Sequence, residues 1–273
     1  MKVFVINLER SAERRASIKR QLDSQGVEFE IIKAVDGATL TEEYLKTALN
    51  HEEVEKRPYL KRRGAYGCAL SHYSIYAKMV ADNIPYALVL EDDVIIEQGF
   101  KSVVDTVTSK LLVNDVVLLF AQNNFMPIVF SEQDSEELPS NRKLVYPMEP
   151  WALGSAAGYI VTNEAARGLM QYVFPVREPA DAWVAFYREK AIANIRCVTP
   201  FAVKPAGFDS NIDYVSSQSL VGKVSSIVKK YKIFPFKQLL DYRRQRMLIN
   251  SSAYSFTPER SPVAIAQQQP LAV

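Results

Sequence analysis

"YALVLEDDVIIEQGF", residues 86–100, sets an apolar strand-like run against three consecutive acids, Glu91, Asp92 and Asp93, and then turns apolar again. An exposed loop would stay polar after the acids, whereas "VIIEQGF" resumes the apolar pattern, so the acids interrupt a core element. In an open α/β sheet, ligands bind beyond the C-terminal ends of the strands, which is where these carboxylates stand. If the strand persists through them, Glu91 and Asp93 share one face and Asp92 takes the other. Two carboxylates about 4 Å apart repel by about 4 kcal/mol at the effective dielectric of a partly buried site. A proton or a cation must offset that. Hard divalent ions are held by one or two carboxylates with water and substrate phosphates completing the shell, so Glu91 and Asp93 are candidate ligands for Mn2+ or Mg2+. The competing structural reading is that the acids cap a following helix or lead the strand into solvent.

Upstream, strand-like and helix-like patterns alternate, the signature of βαβ units and a largely parallel sheet. "KVFVINL" reads as a buried strand, Ser11 as the cap of a helix carrying Ile18 and Leu22, Gly26 as its stop, and "VEFEIIKAV" as a second strand. "TEEYLKTALN" reads as a short polar helix, and residues 64–83 as a core helix with Ala69, Tyr73, Tyr76 and Val80 on one face. Downstream, the pattern predicts a helix near 98–111, a strand at 115–120, irregular chain at 131–146 and a strand at 158–162. Asn163 is then expected to cap a helix, and a further helix is expected near 181–193.

Length and charge narrow the function. The 273 residues suffice for one large domain with an appendage, and 33 basic against 31 acidic residues argue against nucleic acid as a partner. Cys68 and Cys197 lack metal-ligand spacing and read as reduced thiols, pointing to a cytoplasmic setting. The first apolar run, about six residues, is too short for a signal-peptide core or a membrane span. Neither G-x-G-x-x-G nor a P-loop occurs, so a nucleotide would bind by another route. Three regions emerge: 1–221 as the main domain, 222–250 as a basic amphipathic appendage and 251–273 as a flexible tail. Between 223 and 249, eight Lys or Arg face one Asp, a composition suited to peripheral contact with an anionic membrane surface.

Five pieces in this order resemble glycosyltransferase family 25: "VINLERSAERR" at 5–15, "AVDG" at 34–37, "GAYGCALSHYSIY" at 64–76, "LVLEDDVII" at 88–96 and "GSAAGYIVTNEAARGL" at 154–169. The resemblance covers roughly residues 2–215. It implies a GT-A type, Rossmann-like α/β fold, a UDP-hexose donor, a divalent cation and inverting transfer to an acceptor hydroxyl. "EDD" then stands where GT-A enzymes carry their metal-binding D-x-D, with Asp93 as direct ligand, Glu91 as ligand or catalytic helper and Asp92 on the donor side. The sequence has no histidine after residue 72 to complete such a site. Asn7, Leu8, Arg10, Arg14, Arg15, Asp36, Ser71 and His72 are the implied donor contacts, Trp151 and Gly154 the implied acceptor contacts, and Asp181 the implied base. For several of these a structural role competes: a solvated helix face for the arginines, a core histidine for His72, a helix cap for Asp181 and core packing for Trp151.

The expected function is transfer of galactose, or next glucose, from a UDP-sugar to a lipid-linked lipooligosaccharide or lipopolysaccharide acceptor, forming a β linkage at the inner face of the cytoplasmic membrane. The competing classes are a Mg2+-dependent phosphohydrolase or phosphotransferase using the same acids, and a non-catalytic binding module of the same fold.

Overall fold

The computed structural model describes residues 1–123, 127–131 and 133–206. The basic segment at 222–250 and the tail at 251–273 lie outside the described residues.

The elements follow in the order β1 (Lys2–Asn7), α1 (Ala12–Ser24), β2 (Glu30–Lys33), α2 (Glu42–Ala48), α3 (His51–Glu55), α4 (Arg63–Ala81), β3 (Tyr86–Glu91), β4 (Val94–Ile96) and α5 (Phe100–Thr108). After them come β5 (Asp115–Leu118), β6 (Glu136–Leu138), β7 (Arg142–Val145), β8 (Gly158–Thr162), α6 (Asn163–Val173), α7 (Trp183–Arg188), β9 (Asn194–Thr199) and β10 (Val203–Pro205). Among the described residues, eight strands form one sheet in the order β2-β1-β3-β8-β5-β9-β7-β6. β2, β1, β3, β5, β9 and β6 run one way, while β8 and β7 run against them, so the sheet is mixed but mostly unidirectional.

The period-two alternation in the strands sorts the core into two layers. Phe4, Ile6, Val89 and Tyr159 pack on the α4 and α6 side with Tyr76, Met79, Leu169 and Trp183. Val3, Val5, Leu88, Leu90 and Ile160 pack on the opposite side against Ile18 and Leu22 of α1 and Val103, Val104 and Val107 of α5. A smaller cluster under α2 and α3 joins Leu45, Leu49, Val54, Leu60 and Leu70.

From β1 the chain moves to β2 on one side and then to β3 on the other. The order of connection therefore reverses between β1 and β3, and their C-terminal ends flank the crevice that open α/β sheets use for ligands. Asn7 ends β1 and Glu91 ends β3, so the site is positioned by topology before any side chain is considered.

Four local expectations change. Residues 131–146 are not irregular throughout, because β6 and β7 extend the sheet there. Thr162, not Asn163, caps α6: its hydroxyl accepts from the Ala165 amide, and Asn163 instead donates to the Met79 and Ile84 carbonyls, tying α6 to the end of α4. The helix expected at 181–193 is the shorter α7, with Ala182 rather than Asp181 at its cap position. Ser11 occupies the α1 cap position without a side-chain cap hydrogen bond.

Candidate functional site

Glu91 ends β3, and Asp92 and Asp93 form the turn to β4. Glu91, on the parity of Val89, points to the α4 face; Asp92, on the parity of Leu90, points to the α1 face. Asp92 is buried and fully engaged there. It accepts from Asn7 Nδ2 at 2.5 Å and from Arg14 Nη1 at 3.2 Å. Asp93 does not simply rejoin Glu91 as strand alternation would require, because the chain has already turned. Its Oδ2 accepts from the same Arg14 nitrogen at 3.0 Å, and its backbone carbonyl accepts from the Ala206 amide, so the β4–β10 ribbon holds the turn from outside.

Glu91 and Asp93 nevertheless remain electrostatic neighbours. Burial first, then the Glu91 charge, pushes the Asp93 carboxyl up to about 6. Burial also raises Asp92, against the opposing pull of Asn7 and Arg14. Among the described residues, one guanidinium, that of Arg14, bonds two of these three carboxylates, Asp92 and Asp93, and Asn7 Oδ1 is buried without a hydrogen-bond partner. An excess of oxygen donors short of positive charge fits a hard divalent cation.

Opposite Glu91 lies a buried polar chain. His72 Nδ1 is 2.7 Å from the Tyr159 hydroxyl, which is 2.8 Å from the Tyr76 hydroxyl, while His72 Nε2 faces Glu91 Oε1 at 3.4 Å. Cys68, one turn before His72 on α4, donates its thiol toward Glu91 Oε1 at 3.9 Å. Burial, then Glu91, holds the Cys68 thiol well above its ordinary range. The expected spacing on 64–83 set Ala69, Tyr73, Tyr76 and Val80 on one face; it gave no sign that Tyr76 and Tyr159 form a hydroxyl chain to His72 or that Cys68 reaches Glu91. The signal was the i, i+4 separation of Cys68 and His72, which stacks their side chains on one helical face.

Asp181 closes the site. Its Oδ2 accepts from the Ser155 amide at 2.8 Å, burial raises its carboxyl, and both Glu91 and His72 act on it electrostatically. Ser155 itself has φ +81°, a left-handed conformation uncommon for a non-glycine residue. The Trp183 indole N–H donates to its carbonyl at 2.9 Å and the Ala157 amide to its hydroxyl at 3.2 Å, so buried Trp183 pins the loop that orients Asp181. Gly154 lies beside this carboxylate: a Cβ there would sit 2.9 Å from the Gln122 carbonyl and 3.7 Å from Asp181 Oδ2.

The remaining candidates divide. Leu8 sits in the loop after β1, where its carbonyl accepts from the Ser11 amide. Arg10 pairs with Asp36 across the loops that follow β1 and β2, at the rim of the crevice, and Asp36 also caps the short turn at 37–39 through the Ala38 amide. Trp151 is 60% exposed, which removes core packing as its role. Three of the expected donor contacts have other surroundings in the chain itself. Arg14 pairs with Asp92 and Asp93. Arg15 faces away, lining a cleft with Lys19 and Phe29 between α1 and the β2 edge. Ser71 is a packing bond, its hydroxyl accepting from the Val35 amide and donating to the Gly67 carbonyl. "AVDG" and "GAYGCALSH" are thus one joint. A Cβ on Gly37 would lie 1.9 Å from the Arg63 carbonyl, and one on Gly67 2.5 Å from the Val35 carbonyl, so only glycine lets the loop meet α4 this closely.

These motifs also match as a set. The model of glycosyltransferase family 25 (LPS biosynthesis protein) aligns with residues 1–184. The chain belongs to glycosyltransferase family 25. It is 33% identical to human procollagen galactosyltransferase 2 over 178 residues, 62% of this chain and 27% of that protein. It is 27% identical to an Aedes aegypti glycosyltransferase 25 family member over 249 residues, 83% of this chain and 39% of that protein. This family 25 chain therefore spans about a quarter to two fifths of the length of these relatives. A solved Bacillus anthracis putative glucose-1-phosphate thymidylyltransferase aligns with 95% of the chain and 98% of its own at 10% identity and a TM-score of 0.39.

Proposed function

We propose that this family 25 chain transfers a hexose, galactose first and glucose second, from a UDP-sugar to a saccharide hydroxyl of a lipooligosaccharide or lipopolysaccharide acceptor, with inversion at the anomeric carbon. The observation that carries this reading is the meeting, at the β1–β3 switch point of a family 25 chain, of an acid turn and an independently oriented carboxylate, Asp181. The similarity to procollagen galactosyltransferase 2 favours galactose, and membership of a family of LPS biosynthesis proteins favours a lipopolysaccharide acceptor.

In this proposal Asp93 and Glu91 hold Mn2+ or Mg2+, which when bound offsets the charge of the leaving diphosphate. Arg14 and Asn7 fix the turn through Asp92, and Arg10 stands at the rim for the donor. An inverting displacement needs a base near the acceptor hydroxyl on the face opposite the leaving group. Asp181 takes that proton: the Ser155 amide fixes its orientation, and burial makes it a stronger base than a free carboxylate. Gly154 leaves room beside it, and the exposed ring of Trp151 offers a face for the acceptor sugar. Residues 223–249, basic in sequence, would bring the domain to an anionic membrane surface. No described helix is long and apolar enough to cross a membrane.

The test is incubation of the full chain with UDP-galactose, Mn2+ and a panel of lipooligosaccharide core acceptors, followed by NMR of the product. A β-galactoside supports the reading. Phosphate release from a phosphomonoester without sugar transfer would replace it with the phosphohydrolase class.

A further inference from the structure

We propose that Cys68, His72 and Glu91 form a binding site for Zn2+ or a comparably soft divalent ion, which shares the Glu91 carboxylate with the oxygen site at Asp93 and differs from it in taking sulfur and nitrogen ligands. The three donor atoms already converge. His72 Nε2 and Glu91 Oε1 are 3.4 Å apart, Cys68 Sγ and Glu91 Oε1 are 3.9 Å apart, and all three lie within 4.8 Å of one another. Tetrahedral zinc with bonds of about 2.3 Å to sulfur and about 2.0–2.2 Å to nitrogen and oxygen places its ligands about 3.3–3.6 Å apart. Closing the triangle takes small side-chain adjustments.

The support behind the ligands is also that of a metal site. Zinc-bound histidines are held through their other nitrogen, and His72 Nδ1 meets the Tyr159 hydroxyl, backed by Tyr76, in a fully buried chain. With Glu91 as a carboxylate and no ion present, His72 donates from Nε2 and accepts at Nδ1 from Tyr159. Metal on Nε2 moves the ring proton to Nδ1, where the Tyr159 oxygen accepts it and the Tyr159 hydroxyl turns to donate to Tyr76. The Cys68 thiol passes its proton to solvent as the sulfur–metal bond forms. Three protein ligands leave a fourth position open, and the Glu91 side chain, 29% exposed, gives the ion a route in. A thiolate and an imidazole select a soft ion over Mg2+.

The proposal does not depend on sugar transfer and is tested by binding alone. The full chain, stripped with EDTA, is titrated with Co2+, whose thiolate complexes absorb by charge transfer in the near ultraviolet, and Zn2+ affinity is measured against a chromophoric chelator. One equivalent should bind. The Co2+ band should appear in the wild type and in Cys197→Ala, and vanish in Cys68→Ser. Zn2+ affinity should fall by about 10- to 100-fold in Tyr159→Phe, the range for loss of a ligand's supporting partner. Excess Mg2+ should leave the band unchanged. Absence of the band in the wild type, its persistence in Cys68→Ser, or displacement by Mg2+ would each overturn the assignment. Should Cys68→Ser fail to fold, His72→Gln takes its place, with Zn2+ affinity unchanged from wild type as the contradicting result.

Discussion

Arg14→Met tests the electrostatic frame of the site. The substitution keeps most of the side chain's length and apolar body and removes the guanidinium that bonds Asp92 at 3.2 Å and Asp93 at 3.0 Å. Removing one partner of a buried ion pair costs about 3–5 kcal/mol, because the remaining charge stays buried. Asp92, with an 8% exposed side chain, keeps the Asn7 amide but cannot reach water, whereas Asp93, at 31%, recovers some solvation. The low end of the range applies, so we expect a loss of about 3 kcal/mol by urea denaturation in EDTA near pH 7.5. The pH dependence has a defined sign. The Asp93 carboxyl, pushed up to about 6, binds its proton more tightly in the folded state than in the unfolded chain. Its contribution is therefore fully present below the unfolded value of about 3.9 and is lost as pH rises through about 6. Near pH 5, where Asp93 is largely protonated, the penalty for losing Arg14 should shrink, and Arg14→Met combined with Asp92→Asn should recover much of the stability. A loss below about 1 kcal/mol at neutral pH, the value of an exposed pair, would refute the reasoning, as would an equal loss at both pH values.

Asp181→Asn keeps the Ser155 hydrogen bond but cannot take a proton; turnover should fall by about 10²–10⁴-fold with donor affinity unchanged, read by steady-state kinetics and calorimetry. Gly37→Ala drives a methyl into the Arg63 carbonyl and should destabilise by at least about 2 kcal/mol in chemical denaturation, whereas Gly26→Ala, with open space but φ +63°, should cost about 1 kcal/mol. Trp151→Ala should change stability by less than about 0.5 kcal/mol because the ring is exposed, while raising the acceptor KM.

The strands and helices nearest the site were legible because their apolar periodicities are strong: "KVFVINL", "YALVL" and "GYIVT" all form strands in one sheet. β6 and β7 escaped notice because "SEELPSNRKLV" carries polar residues on short strands near the sheet edge, where burial does not enforce alternation. In the site, the positions of Glu91 and Asp92 followed from strand parity, since β3 keeps its pleat to Glu91. Asp93 did not follow, because no local pattern announces that the chain turns one residue later. The partners of Arg14 and Ser71 were not legible for a common reason. Each lies in a segment that borders the crevice, but the sequence does not say that its polar group is already taken, by Asp92 and Asp93 in one case and by Val35 and Gly67 in the other. Bonds between residues tens of positions apart, such as that joining Ser155 to Asp181, are set by the sheet order and have no counterpart in local composition.

The central claim, that the acid turn serves a UDP-sugar through a hard cation, is tested most directly by UDP release from UDP-galactose in the presence of acceptor, with Mn2+ or EDTA, in wild type and Asp93→Asn. The account predicts Mn2+-dependent release in the wild type, abolished by EDTA and reduced by at least 100-fold in Asp93→Asn while the variant remains folded. Release that is unaffected by both EDTA and the Asp93 substitution would contradict it.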